Sequence, residues 1–522
     1  MAKNKLSIYL IKDGIQENNE IFKNELLELH VYNENKIAYY VRSNSHQPTW
    51  LNNFFEITDA GLFQANAKVV LLVKRIYEGR LRIFALTFGY AKPLFKEGVL
   101  EEQFGLKIVL NTVKNNELRK ISKLNIGGNQ KQSQEQIPKT GKISDFGFNI
   151  YSDLMRNVTA ATTDEIFGKA IITGGDIFSI AVEKNIHNIE EFLDYCYLKY
   201  NDIAYKNNFD WLDNIKAVRS KDLIENLNNY VIEKIKNQDF ENIWMAVPDI
   251  INWEQVKCFK YSGSRDEFDD IKIEKVIETF DDLAELTMDK FKNKTIKVIS
   301  AENESEILSW SAQKCLIAEI EYQSKSFCLN NGKWYQIDNN FELIVKREYD
   351  NITISELNLP SYSSNGEENY TENEYNENLA TSINAALIHR IGEIPYGGGT
   401  GNKIEVCDIL TNNKELIHIK KSGGSSVLSH LFNQAAVSAE ALLDSDFREK
   451  YNRKLSEKGM TEYIDNDFKS SNYTIILGII SKYNDARPKI PFFSKVAIRY
   501  MVKTLSNLGY QIKIKNIFNV DA

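Results

Sequence analysis

The run Tyr473–Ile480, YTIILGII, constrains the fold more than any other segment of the chain. It has no polar face, so as a strand it must be covered on both sides, as in sheets that carry helices on each face. The segments before it supply the partners. Asn373–Arg390 reads as a helix whose acidic start suits the positive end of a helix dipole. Ile404–Leu410 (IEVCDIL) and Glu415–Lys420 (ELIHIK) read as strands joined across Thr411-Asn412-Asn413-Lys414, and Val427–Leu443 reads as a second helix.

At 522 residues the chain exceeds the ~250–300 at which single cores stop growing, so more than one domain is expected. The first part is β-rich. Val69–Lys74 and Leu81–Gly89 form a hairpin across Tyr77–Arg80, and Glu101–Asn111 gives a short helix leading into another strand. Gly127–Lys142, rich in Gln and Lys, reads as a flexible loop. Helical spacing recurs over Asn188–Tyr200 and Ser220–Lys236, between strand-like runs at Lys169–Thr173 and Ile243–Val247. Gly174-Gly175 and Asn331-Gly332 are hairpin turns. Ser355–Glu372, rich in Ser, Asn, Glu and Tyr, reads as a linker. The expected architecture is α+β and multidomain: a mixed α/β region over residues 1–354 in one or two domains with a sensing or partner role, a linker over 355–372, and an α/β domain over 373–522.

The formal net charge of −8 excludes a molecule that is basic overall, so any contact with nucleic acid must be local. Five scattered cysteines without a CxxC pair argue against a zinc knuckle or redox dithiol and fit a reducing cytoplasm. No window approaches the ~20 apolar residues of a membrane span, and no secretory h-region follows the start, so a cytoplasmic protein without membrane contact is expected.

Within the hairpin, His418 and Lys420 are two apart on a strand and share a face, and the turn brings Asp408 beside them. Helix, hairpin, helix and strand in this order, with Asp408 and Lys420 at these places, resemble the core of the PD-(D/E)XK nuclease superfamily. The resemblance implies a restriction-endonuclease-like core. In it Asp408 and a first-helix acid, Glu374 or Glu377, hold Mg²⁺ or Mn²⁺, while Lys420 stabilises developing charge. The superfamily's second acid is replaced by His418, which either acts as ligand or base for a metal other than Mg²⁺ or marks the loss of cleavage.

A second set of residues points to phosphate. Lys421 and the turn Ser422, Gly423, Gly424, Ser425 and Ser426 precede a helix N-terminus, whose unpaired N–H groups favour anions. His430 and Gln434 lie one turn apart on that helix. From Lys482 to Lys515 eight Lys or Arg stand against Asp485 alone, among them Arg487, Lys489, Lys495 and Arg499, a local basic surface suited to a DNA backbone. Gly397–Gly401 looks phosphate-binding, but it lacks the Gly-Lys-Ser/Thr ending and leads into a strand.

The segments EVCDIL, HIKKSGGSSVLSHLFNQ and PFFSKVAIRYMVKTLSNLGY, with FGLKIVLN and DFGFNIYSDLMRNVT upstream, also resemble a sporadically distributed bacterial family of unknown function. Its members often lie near restriction and phage-defence genes. That resemblance implies a defence setting and DNA or a defence-system protein as partner. Three readings stay open: a metal-dependent nuclease, a nuclease-like DNA-binding module without cleavage, and an interaction scaffold.

Overall fold

The computed structural model describes residues 3–23, 27–41, 67–96, 98–125, 131–150, 153–248, 251, 256–301, 305–364, 370–388, 394–395, 403–422, 425–457, 459 and 464–521. The chain divides into two compact units, one of residues 1–124 and 132–212 and one of residues 125–131 and 213–522.

The first unit is built on a ten-stranded sheet. Lys68–Tyr77 and Arg80–Gly89 pair in antiparallel register as expected from their apolar runs, with Glu78 and Gly79 both at positive φ in the two-residue turn. The helices Phe104–Leu110 and Glu190–Asn201 place Phe104, Leu106, Phe192 and Leu193 in one core with the sheet. The loop expected over 127–142 is otherwise: Lys131–Gly141 is a strand at the end of the sheet order, with a largely exposed burial pattern. Its ladder needs backbone groups only, so an edge strand forms without the apolar alternation by which strands are read. Residues 126–130 of that loop lie outside the described residues.

The second unit contains a five-stranded antiparallel sheet, ordered Ile215–Ala217, Lys333–Ile337, Lys325–Asn330, Leu316–Tyr322, Ile243–Met245, and a three-stranded one of Val256–Tyr261, Thr295–Ser300 and Glu306–Ser311. Lys221–Lys236 covers the former, its start fixed by the Ser220 hydroxyl accepting from Leu223 N.

The six-stranded sheet of the same unit runs Thr353–Ile354, Gln511–Phe518, Thr474–Ser481, Glu415–Lys421, Ile409–Leu410, Ala386–Leu387. Thr474–Ser481 lies parallel to both neighbours and is buried along nearly its whole length. Ile475, Leu477 and Ile479 pack in a cluster with Leu428, Leu431 and Phe432 of the helix Ser425–Ala441 and with Ile498 and Met501 of the helix Phe492–Asn507. Ile476 and Ile480 pack on the other face with Tyr375 and Leu379 of the helix Glu372–Ser382. Gly478 leaves no room for a side chain, because a Cβ there would stand 3.1 Å from both Ile419 and Ile517.

The stretch read as a linker is anchored at several described residues. Leu359 and Tyr362 are buried in the same cluster as Leu379, and Ser355 N donates to Ile514 O. Its polar composition conceals two anchoring apolar groups. Arg487 donates to the carbonyls of Tyr349, Asp350 and Ile352 at 2.7–2.9 Å, tying the end of the preceding helix Asn339–Asp350 to the six-stranded module.

Candidate functional site

Asp408 stands where the hairpin strand begins. Its N–H donates to Ile417 O and its carbonyl accepts from Ile388 N, so it sits opposite His418 although regular pairing starts only at Ile409. The carboxylate, 8% exposed, accepts from Ile419 N at 2.7 Å. Along the same edge, where the partner strand has ended, Glu372 accepts from Lys421 N at 2.8 Å and from Lys420 Nζ at 2.8 Å. Consecutive outward amides of one strand, two residues and roughly 7 Å apart, are thus each closed by a carboxylate in place of a strand.

The acid from the first helix is therefore Glu372, one of the residues missed in the sequence. Thr371 and Glu374 form a reciprocal capping box: Thr371 N and Oγ1 both donate to Glu374, and Glu374 N donates to Thr371 Oγ1. That fixes Thr371 as the cap and Glu372 as the first helical residue, and it commits the Glu374 carboxylate to the helix end. The T-x-x-E spacing was the signal available in the sequence. Glu377, one turn on, is half-buried.

His418 is fully buried, facing the side of the sheet occupied by Leu416 and Leu477. Neither ring nitrogen has a hydrogen-bond partner among the described residues, and burial pushes the imidazole down to about 4. It is a neutral ring in an apolar layer. Among the described residues no three of His, Cys, Asp and Glu stand close enough to share a metal ion. Asp408 and Glu372 are each occupied by protein donors and His418 is sealed, so the described residues do not assemble a site that fits Mg²⁺ or Mn²⁺.

The residues read as phosphate-binding in the sequence are divided. Lys421 is exposed and lies over the Tyr362 ring at 5.3 Å. Gly423, Gly424 and the Ser426 side chain lie outside the described residues, as does the Gly397–Gly401 turn. Ser422 is half-buried, with its N–H donating to Ile480 O. Ser425, the first residue of its helix, is completely buried, 3.2 Å from Ser494 Oγ. A further unforeseen carboxyl group lies there: Glu319 of the strand Leu316–Tyr322 accepts from Phe493 N at 3.3 Å, and the Ser425 hydroxyl faces the same carboxyl. An acidic side chain of the protein itself thus lies where two long helices begin, the position expected for a phosphate. His430 is exposed, and Gln434 Nε2 donates to Glu405 at 3.3 Å.

Part of the basic segment is paired within the protein. Lys482 pairs with Glu241 at 2.5 Å, Lys489 with Asp485 at 2.8 Å, and Arg499 with Glu348. Arg487 is saturated by carbonyls, and Lys495 is half-buried beside the Tyr349 ring. Two of the eight cations are thus paired with acids remote in sequence, Glu241 and Glu348, and one with Asp485 of the segment itself.

A model of a family of unknown function, DUF6119, matches residues 6–518. The chain belongs to that family. The match takes in residues of both compact units. No curated protein and no solved structure matches the chain. No helix among the described residues is long and apolar enough to cross a membrane.

Proposed function

We propose that the six-stranded module is restriction-endonuclease-like and acts on phosphodiester bonds of DNA through Lys420, Glu372 and Asp408. One observation carries the reading. Helix 372–382, the antiparallel strands 386–387, 409–410 and 415–421, helix 425–441 and parallel strand 474–481 follow in that order, with the short pair 394–395 and 403–404 and the helix 445–457 interposed, and the acids and the lysine converge on one strand. Lys420 is a cation that can stabilise charge on phosphoryl oxygens, and its partner Glu372 is only partly exposed, so an arriving phosphate competes with Glu372 for it. No step is routed through a metal. A role in defence against invading DNA rests on the resemblance of the sequence segments alone.

A second reading, DNA binding without cleavage, is favoured by His418, whose sealed neutral ring occupies the place of the superfamily's second acid. The test uses the full chain on linear, circular and single-stranded DNA, with Mg²⁺, Mn²⁺ or EDTA, beside salt-dependent binding. Cleavage that Lys420→Ala and Asp408→Ala both abolish supports the first reading. Binding without cleavage under every condition replaces it with the second, and absence of both sinks the two together, leaving a scaffold for a defence-system partner.

A further inference from the structure

Lys495 lies in the first turn of the helix Phe492–Asn507 and is half-buried. Its Nζ stands 5.9 Å from the centre of the Tyr349 ring, which also carries the Arg487 guanidinium at 5.3 Å. Among the described residues no carboxylate pairs with this ammonium and no group accepts a hydrogen bond from it. A half-buried cation without a counter-ion loses hydration that nothing replaces, and the neighbouring Lys346 adds repulsion. Both push the Lys495 pKa down, desolvation more strongly, against the pull of Asp350, Glu342 and Glu321.

Lys495 lines a cavity of about 310 Å³, near the lower end of small-molecule sites. Tyr230, Tyr483 and Phe492 form part of the wall and present aromatic surface. The other basic side chains there are taken, Lys234 by Asp239 and Lys489 by Asp485. Glu319 Oε1, in the same wall, is sealed from solvent, whereas Lys495 Nζ is not. Glu321 and Glu342 also line the cavity, Glu342 accepting from Ser326 Oγ at 2.8 Å. An anionic ligand would meet both carboxylates, so the open amine is not matched to a phosphate or a carboxylate.

We propose that Lys495 is a nucleophilic amine that condenses with a small, uncharged aldehyde held against the aromatic wall of this cavity. The lone pair of the neutral amine adds to the carbonyl carbon, the C=O π pair passes to oxygen, and that oxygen takes the proton shed by nitrogen. The resulting carbinolamine loses its hydroxyl and the second nitrogen proton as water while the nitrogen lone pair closes the C=N bond. Amine and aldehyde thus give imine and water, and nothing is oxidised or reduced. Desolvation and a second cation nearby are the conditions that leave a lysine with free base near neutral pH. Lys420, whose Nζ is held by Glu372 at 2.8 Å, does not meet them, so the proposal stands apart from the reading of Lys420 and its acids.

The experiment treats the full chain at neutral pH with benzaldehyde and sodium cyanoborohydride, whose hydride reduces an imine to a stable secondary amine, and maps the adduct over every lysine by peptide mass spectrometry. Lys495 is expected to be labelled at least roughly fivefold faster than the exposed Lys346 and the paired Lys420. The same ring bearing a negative charge, 4-carboxybenzaldehyde, should label Lys495 at least roughly threefold more slowly, because Glu321 and Glu342 repel it. In denaturing urea, where the cavity is lost, the preference for Lys495 over Lys346 should vanish. Labelling of Lys495 no faster than of Lys346, equal or faster labelling by the carboxylate analogue, or a preference that persists in urea would each overturn the proposal.

Discussion

Two carboxylate sites of the second unit behave in opposite ways. At the strand Glu415–Lys421, Asp408 and Glu372 are filled by donors from the protein: Ile419 N for one, Lys421 N and Lys420 Nζ for the other. At the strand Leu316–Tyr322, Glu319 is more deeply buried and yet keeps an oxygen without a donor. The first arrangement completes a sheet edge and needs nothing from outside to be stable. The second is a sealed carboxyl beside the Ser425 hydroxyl, whose burial favours the protonated form.

The comparison is tested hardest at His418. Restoring an acid there by His418→Asp places a carboxyl in an apolar layer and should destabilise the protein by about 3 kcal/mol or more, read from urea denaturation. A stable variant with new metal binding would show instead that the strand end is an open site. His418→Leu, which removes two unbonded ring nitrogens, should be close to neutral at pH 8.

Two pH dependences of opposite sign follow. Burial lowers His418 from 6.5 to about 4, so the unfolded chain takes up a proton that the folded chain refuses, and stability falls as pH drops from 6.5 toward 4. Burial raises Glu319 from 4.5 to about 7, so the folded chain keeps a proton that the unfolded chain has released, and stability falls as pH rises from 4.5 toward 7. Each is on the order of 3 kcal/mol, and in the wild type they largely cancel. His418→Leu should unmask the decline with rising pH and Glu319→Gln the gain. Parallel profiles in the two variants would contradict the assigned burial of one of them.

Asp408→Ala leaves Ile419 N without its acceptor in a buried position and should cost about 1–3 kcal/mol. Lys420→Ala should cost under about 1 kcal/mol, since its side chain is 40% exposed and its pair with Glu372 is screened. That ordering separates roles: if Lys420→Ala removes an activity while leaving stability intact, the lysine serves chemistry and not the fold.

The strands Thr474–Ser481 and Glu415–Lys421 and the helix Ser425–Ala441 were legible because each carries its own apolar pattern, whereas the helix read over 373–390 ends at Ser382, the strand read over 404–410 pairs in this sheet only at Ile409–Leu410, and the helix Phe492–Asn507 and strand Gln511–Phe518 were read only as a basic segment. Ser220 announced a helix start, and Asn331-Gly332 a turn, for the same local reason. The strand Lys131–Gly141 was not legible, since an exposed edge is held by backbone bonds that side chains do not encode. Of the site, the place of Asp408 opposite His418 followed from the hairpin, whereas the pairing of Lys420 with Glu372 did not. The sealing of His418 did not, because alternation tells which face a residue takes and not whether that face is dry. Glu319 gave no sign, for an acid within LIAEIEY reads as the polar phase of an ordinary strand. The pairing of Lys482 and Arg499 was not legible, because Glu241 and Glu348 are remote in sequence.

The anchoring of Arg487 has a practical consequence for dissecting the chain. A cut before residue 373 would strip that guanidinium of three carbonyl partners, remove Glu348 from Arg499, and take the outer strand Thr353–Ile354 from Gln511–Phe518. Fragments intended to fold should begin near Asp213, where the second compact unit resumes, and so carry more than the six strands themselves.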